Sequence, residues 1–233
     1  MNKLLATLVL CLCVTTAQAD LFEDAEAAYG RGDYTTALRL FRPLAETGIA
    51  DAQFYLGFMY AKGEGTPQDY AAALKWSRLA AEQGNVHAQH YLGYLYVNGH
   101  GTPQDDTAAL KWFRLAAEQG DGSAQAILGV MYANGEGAPQ DYAAALKWYR
   151  LAAEQGDADA LNNLGYMYSE GRGTPQDYVE AHKYYNLAAS RQADEEKRNM
   201  ATANRDLIAA EMAPAQVAEA QKLAREWDKA HPR

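Results

Sequence analysis

Cysteine is almost missing from this 233-residue chain: there are two, Cys11 and Cys13, and both fall within the first nineteen residues. Those residues run from Met1-Asn2-Lys3 through the apolar stretch Leu4–Val14 to Ala17-Gln18-Ala19. This is the charged start, hydrophobic middle and A-x-A site of a Sec-type signal peptide, residues 1–19, with cleavage expected after Ala19. The exported chain is then free of cysteine, which excludes disulfides, thiolate metal sites and cysteine nucleophiles together. Leu10 and Leu12 precede the two cysteines where a lipoprotein leader carries a small residue, so lipidation is not expected. Beyond the leader no apolar run approaches the roughly 20 residues that a spanning helix needs, and no membrane span is predicted. Positive charge is also scarce. The 21 Lys+Arg against 30 Asp+Glu leave a net charge of −9, and an acidic surface disfavours a phosphate backbone, so nucleic acid is not an expected partner. The expected destination is the periplasm or the cell exterior.

What the chain has in abundance is itself. The string Ala-Leu-Lys-Trp-x-Arg-Leu-Ala-Ala-Glu-Gln-Gly stands at 73–84, 109–120 and 145–156, a period of 36, with a weaker echo at 181–189. Gly57, Gly93, Gly129 and Gly165 keep that spacing, as do Tyr60, Tyr96, Tyr132 and Tyr168 and the prolines Pro67, Pro103, Pro139 and Pro175. Each unit reads as two helices. In the first unit Ala52, Leu56, Met59 and Tyr60 line one face of a helix near Asp51–Lys62, and Ala73, Trp76, Leu79 and Ala80 form the expected buried stripe of a second, from Tyr70 to about Gln83. Between them, Gly-Glu-Gly-Thr-Pro-Gln-Asp at 63–69 supplies positive-φ glycines, a helix-stopping proline and a capping aspartate, repeated as Asp105, Asp141 and Asp177. The mid-helix Gly57 costs about 1 kcal/mol against alanine, so its recurrence predicts close approach of another backbone. Helix pairs at fixed pitch bury their apolar faces only by stacking on their neighbours, which predicts an all-α solenoid.

The pattern Ala-x-x-x-Leu-Gly-x-x-Tyr-x-x-Gly-x-Gly, then Asp-Tyr-x-x-Ala, then Trp-x-x-x-Ala-Ala resembles the Sel1-like repeat, a relative of the tetratricopeptide repeat, over about 49–192. The resemblance implies a right-handed α-solenoid of stacked antiparallel helix pairs. Sel1-like units are expected at 49–84, 85–120, 121–156 and 157–192. A shorter tetratricopeptide-like capping unit is expected at 20–48 and capping helices at 193–233, where Met200, Ala203, Leu207 and Met212 read as one helical face and Val217, Ala220, Ala224 and Trp227 as another. The last Sel1-like unit departs from the others, with His182 in place of Leu74 and Tyr184 in place of tryptophan.

In such solenoids the first helices line the concave face, so first-helix positions that vary while the core stays fixed are candidates for partner contact. Three columns vary: Phe54, His90, Ala126 and Asn162; Tyr55, Tyr91, Ile127 and Asn163; and Phe58, Tyr94, Val130 and Tyr166. Positions 54 and 58 share a face, so the first two units present an aromatic strip suited to anchoring a peptide or protein, or else to packing between units. A fourth column, Ser77, Phe113, Tyr149 and Tyr185, reads as packing.

Little in the sequence points to catalysis. His87 and His90 stand at i and i+3 with His100 nearby, yet nothing beside them completes a tetrahedral ligand set, so they read as surface histidines and no metal or cofactor is expected. Ser77, Ser123, Ser169 and Ser190 lack the surroundings of known serine nucleophiles. The expectation is a non-enzymatic scaffold or adaptor of the bacterial cell envelope that binds a protein or peptide. Such adaptors act in envelope assembly, signalling regulation or host contact, as the resemblance implies. The competing reading is a cell-wall glycan-binding protein or hydrolase, with the tyrosines as stacking platforms.

Overall fold

The computed structural model describes residues 18–232, so the signal-peptide reading, with Cys11 and Cys13, falls outside the described residues except for Gln18 and Ala19. All described regular structure is helical: α1 (18–30), α2 (Tyr34–Glu46), α3 (Ala50–Lys62), α4 (Tyr70–Glu82), α5 (Val86–Val97), α6 (Asp106–Glu118), α7 (Gly122–Asn134), α8 (Tyr142–Glu154), α9 (Ala158–Glu170), α10 (Tyr178–Arg191), α11 (Glu195–Ala210) and α12 (Pro214–Ala230). The turns form as their residues dictate. Helices α3, α7 and α9 end in left-handed glycines, Gly63, Gly135 and Gly171. Asp69, Asp141 and Asp177 cap α4, α8 and α10 by accepting from backbone N–H groups in the first turn. The chain divides into two compact units, the first ending at Asp105 and the second beginning at Asp106.

In the first unit, α1 to α4 pack around Phe41, Leu44, Leu56 and Met59, with Ala25, Ala28, Ala37, Ala45 and Ala52 letting the helices approach, and α5 packs on α4. Buried amides follow the repeat. Gln53 donates to the Ala45 carbonyl and Gln89 to that of Ala81, both at 3.1 Å, so each buried side chain also satisfies a carbonyl at a helix end. The repeated tyrosine has a partner: Arg42 donates to Tyr60 at 3.2 Å and Arg78 to Tyr96 at 2.6 Å. One expectation needs correction. Leu79 is 37% exposed, and the buried face of α4 is Ala73, Ser77, Ala80 and Ala81. The reason is Gly57. A Cβ there would stand 2.7 Å from Ser77 Oγ and 3.0 Å from Ser77 N, so α3 and α4 touch backbone to backbone and position 77 turns inward.

In the second unit, α7 packs on α8 and α9 on α10, while α11 and α12 both lie against α10. Arg114 donates to Tyr132 and Arg150 to Tyr168. Here the repeat glycine meets a ring and not a backbone: a Cβ on Gly165 would fall 2.7 Å from the Tyr185 ring, and Gly129 faces Tyr149 in the same way. All four members of that column, Ser77, Phe113, Tyr149 and Tyr185, are buried, as expected. Helix α11 departs from expectation. Met200 and Leu207 are 50% and 70% exposed and Ala203 is exposed too, whereas Met212 is buried as expected; the inward face is Ala201, Arg205, Ile208 and Met212. The helical period holds but its phase is shifted by one residue, because small Ala201 lets α11 close on α10 while Arg205 reaches Asn186 Oδ1 at 3.3 Å. Helix α12 is anchored through Asp228, which pairs with Arg191 at 2.8 Å, the guanidinium lying over the Trp227 ring.

Candidate interaction site

Four of the sequence-selected residues come together in the first unit. Phe58 on α3 and His90, Tyr91 and Tyr94 on α5 line a pocket of about 330 Å³ completed by Ala61, Lys62, Gln68, Tyr70 and His100. Its walls are a chain of rings: Phe58 against Tyr91 at 5.3 Å, Tyr91 against Tyr94 at 6.0 Å, Tyr94 against His100 at 5.9 Å, and His100 stacked on Tyr70 at 4.3 Å. Tyr94 is 45% exposed at the mouth. Burial, reinforced by the neighbouring Tyr70 and Tyr94 phenols, pushes the Tyr91 phenol well above the usual tyrosine range, so it stays a neutral donor. The one charged side chain of the lining, Lys62, is basic. Lys62 Nζ lies 5.5 Å from the Phe58 ring centre, and no carboxylate lines the pocket.

The second unit holds the same pocket two repeats later. Val130, Ala133, Asn134, Tyr142, Asn163, Tyr166 and Arg172 take the places of Phe58, Ala61, Lys62, Tyr70, Tyr91, Tyr94 and His100, and with Tyr149 and Met167 they enclose about 220 Å³. Arg172 donates to the Tyr142 hydroxyl at 3.0 Å, with its guanidinium over the Tyr142 and Tyr166 rings.

The remaining candidates lie elsewhere. Tyr55 is engaged in packing, stacked on Phe41 at 4.7 Å and donating to Glu26 at 2.9 Å; burial and that carboxylate push its phenol up to about 12. Phe54 packs on Tyr55, Phe58 and His87. Ile127 and Asn162 are partly buried outside the second pocket. Among the described residues no cluster of three or more histidine, cysteine or acidic side chains could hold a metal, and no helix is long and apolar enough to cross a membrane.

Sequence reasoning missed the residues that the interhelical loops contribute. The middle residue of each Gly-x-Gly turn varies as Glu64, His100, Glu136 and Arg172, and two of these line the pockets. The signal was present: a varying residue between two constant glycines.

The Sel1 repeat model matches residues 50–85, 86–121, 122–157 and 158–192. The chain belongs to the Sel1 repeat family. Its fold is that of other Sel1-like repeat solenoids. A Sel1 repeat protein from Oxalobacter formigenes is 30% identical over 86% of this chain and 84% of its own, with a TM-score of 0.73. A protective antigen of uropathogenic Escherichia coli with the same repeat fold is 28% identical over 92% of this chain, with a TM-score of 0.57; the match spans about half, 54%, of that longer protein. A Sel1 repeat protein from Klebsiella pneumoniae, at 22% identity over 82% of this chain and 93% of its own and a TM-score of 0.51, shares the fold. No curated protein matches the chain. Sel1 repeat proteins are typically protein-interaction scaffolds.

Proposed function

We propose that this Sel1 repeat protein is a non-enzymatic adaptor of the bacterial cell envelope that holds a peptide or protein segment on its first-helix face. The observation that carries the reading is Tyr94, a large aromatic left 45% exposed at the mouth of a ring-walled pocket that also contains Phe58 and Tyr91. Interfaces are anchored by a few such side chains set around a pocket that can be dried on binding. The same column is exposed again in the second unit, at Val130 and Tyr166. Export by residues 1–19 to the periplasm or the exterior agrees with a cysteine-free remainder and with the antigen among its similar structures. In this reading α1–α2 and α11–α12 close the ends of the repeat array.

The test is capture from envelope extract by protein purified from cells expressing the full chain, beside a Phe58→Ala/Tyr94→Ala variant shown by circular dichroism to keep its helicity. The adaptor reading expects a protein held by the parent and lost by the variant. Retention of the same set by both, or retention only of cell-wall glycan, overturns it.

A further inference from the structure

Every Gly-x-Gly turn is pinned by its second glycine to the start of the second helix in the preceding helix pair. At Gly173, with φ +70°, a Cβ would stand 2.5 Å from the Tyr142 carbonyl oxygen; Gly101, with φ +75°, lies against the Tyr70 carbonyl in the same way. The backbone therefore has no freedom, and only the middle side chain can change from unit to unit. That side chain is delivered to the pocket: His100 stacks on Tyr70, and Arg172 on Tyr142. We propose, building on the adaptor reading above, that the middle residue sets the charge preference of its pocket, and that the 58–100 pocket takes an acidic side chain from an extended partner segment.

The argument is charge complementarity against the trend of the whole molecule. The chain carries a net charge of −9, yet this pocket has Lys62, His90 and His100 in its lining and no carboxylate. His100 Nδ1 is buried and has no hydrogen-bond partner, a costly state that an incoming carboxylate relieves by accepting from the Nδ1–H tautomer. Lys62, in the same lining, has no carboxylate partner among the described residues, so its charge is available to the same ligand. The tyrosine and phenylalanine rings supply the apolar contact for the stem of that side chain and its neighbour. The general field of an acidic protein repels acidic peptides, so selection for acid has to come from a local site.

The probe is a phage-displayed library of random 12-residue peptides, selected on protein from the full chain and on two variants, His100→Glu and His100→Arg. Both substitutions are residues that the same turn already carries, at Glu64, Glu136 and Arg172, so the loop accepts them. The parent and His100→Arg are expected to enrich peptides with Asp or Glu beside an apolar residue. The best of these should bind at least tenfold more weakly to His100→Glu, and more weakly to the parent when its acid is changed to the amide, as read by fluorescence anisotropy. Enriched peptides without acid, or an acid preference that survives His100→Glu, overturn this inference and leave the adaptor reading standing. No enrichment on any of the three proteins removes both.

Discussion

The pockets at 58–100 and 130–172 are one piece of backbone architecture furnished with two different sets of side chains. Where the first has Phe58, Lys62, Tyr91 and His100, the second has Val130, Asn134, Asn163 and Arg172, while Ala61/Ala133, Tyr70/Tyr142 and Tyr94/Tyr166 are unchanged. Constant residues hold the frame, and the replaced ones decide what the frame can hold. The first pocket is larger and has more ring walls, Phe58, Tyr70, Tyr91 and Tyr94 against Tyr142, Tyr149 and Tyr166. In the second, the guanidinium is already engaged by two tyrosine rings and a hydroxyl, so less of its binding capacity is open to a partner.

The sharpest way to break this comparison is through the frame. Gly101→Ala and Gly173→Ala each put a Cβ at positive φ against a backbone carbonyl that cannot move without dragging a helix start. Each is expected to cost about 3 kcal/mol by urea denaturation, left-handed strain adding to the clash. Similar losses support one frame built twice; a Gly173→Ala protein as stable as the parent shows that the second turn is not held as the first is.

Next in size is the difference in furnishing. For a peptide selected on the parent, Phe58→Ala/Tyr94→Ala is expected to weaken binding about thirtyfold, the roughly 2 kcal/mol of an anchoring aromatic. Val130→Ala/Tyr166→Ala should change it by less than about threefold if the first pocket is the anchor. Equal losses from both pairs, measured by titration calorimetry, would make the two pockets equivalent in use as well as in frame.

These residues also show what could be seen in the sequence alone. The helix pairs, the aspartate caps, the positive-φ turns and the buried column at 77, 113, 149 and 185 were legible because the repeat shows each requirement several times over. Phe58, His90, Tyr91 and Tyr94 could be singled out because they vary against that constant background. Their union with Lys62, Tyr70 and His100 could not, since it depends on a loop crossing to a helix start in the preceding pair, a contact that no spacing within one helix encodes. The phase of α11 was illegible for a related reason. Outside the repeat there is one copy of the pattern, and hydrophobicity favoured Met200 and Leu207 where packing selected Ala201.

A third test compares the units at the position of Leu74, Leu110 and Leu146, where the last repeat has His182. His182 is 2% exposed and its Nδ1 has no hydrogen-bond partner. His182→Leu is expected to stabilise the protein by about 1–2 kcal/mol at pH 7, by removing an unsatisfied buried polar atom. Burial, and then the Arg205 charge, hold this imidazole below its ordinary value, with Asp206 opposing. The unfolded chain therefore takes up a proton near pH 6.5 that the folded chain refuses. Parent stability should fall as pH drops below about 6.5, until the folded imidazole is itself protonated, and His182→Leu should flatten that part of the profile. A leucine variant with an unchanged slope between pH 7 and 5 would place the acid sensitivity elsewhere.

The smallest expected difference concerns the arginine–tyrosine contacts that recur in both units. Arg78 reaches Tyr96 and Arg150 reaches Tyr168, each at 2.6 Å, so bond length alone makes them equal. Their surroundings do not. The first bond is exposed, whereas the second is partly buried, with the guanidinium 5.9 Å from the Tyr168 ring centre and that ring stacked in turn on Tyr184 at 5.5 Å. Water competes with an exposed bond and is partly excluded from a sheltered one, so the same geometry stabilises more in the second unit. Double-mutant cycles of Arg78→Ala with Tyr96→Phe and of Arg150→Ala with Tyr168→Phe isolate each bond from the other effects of the substitutions. The coupling should be about 1 kcal/mol for Arg150–Tyr168 and about half that for Arg78–Tyr96. Equal couplings would show that shelter contributes nothing here, and that the recurring contact, like the turn glycine, belongs wholly to the shared frame.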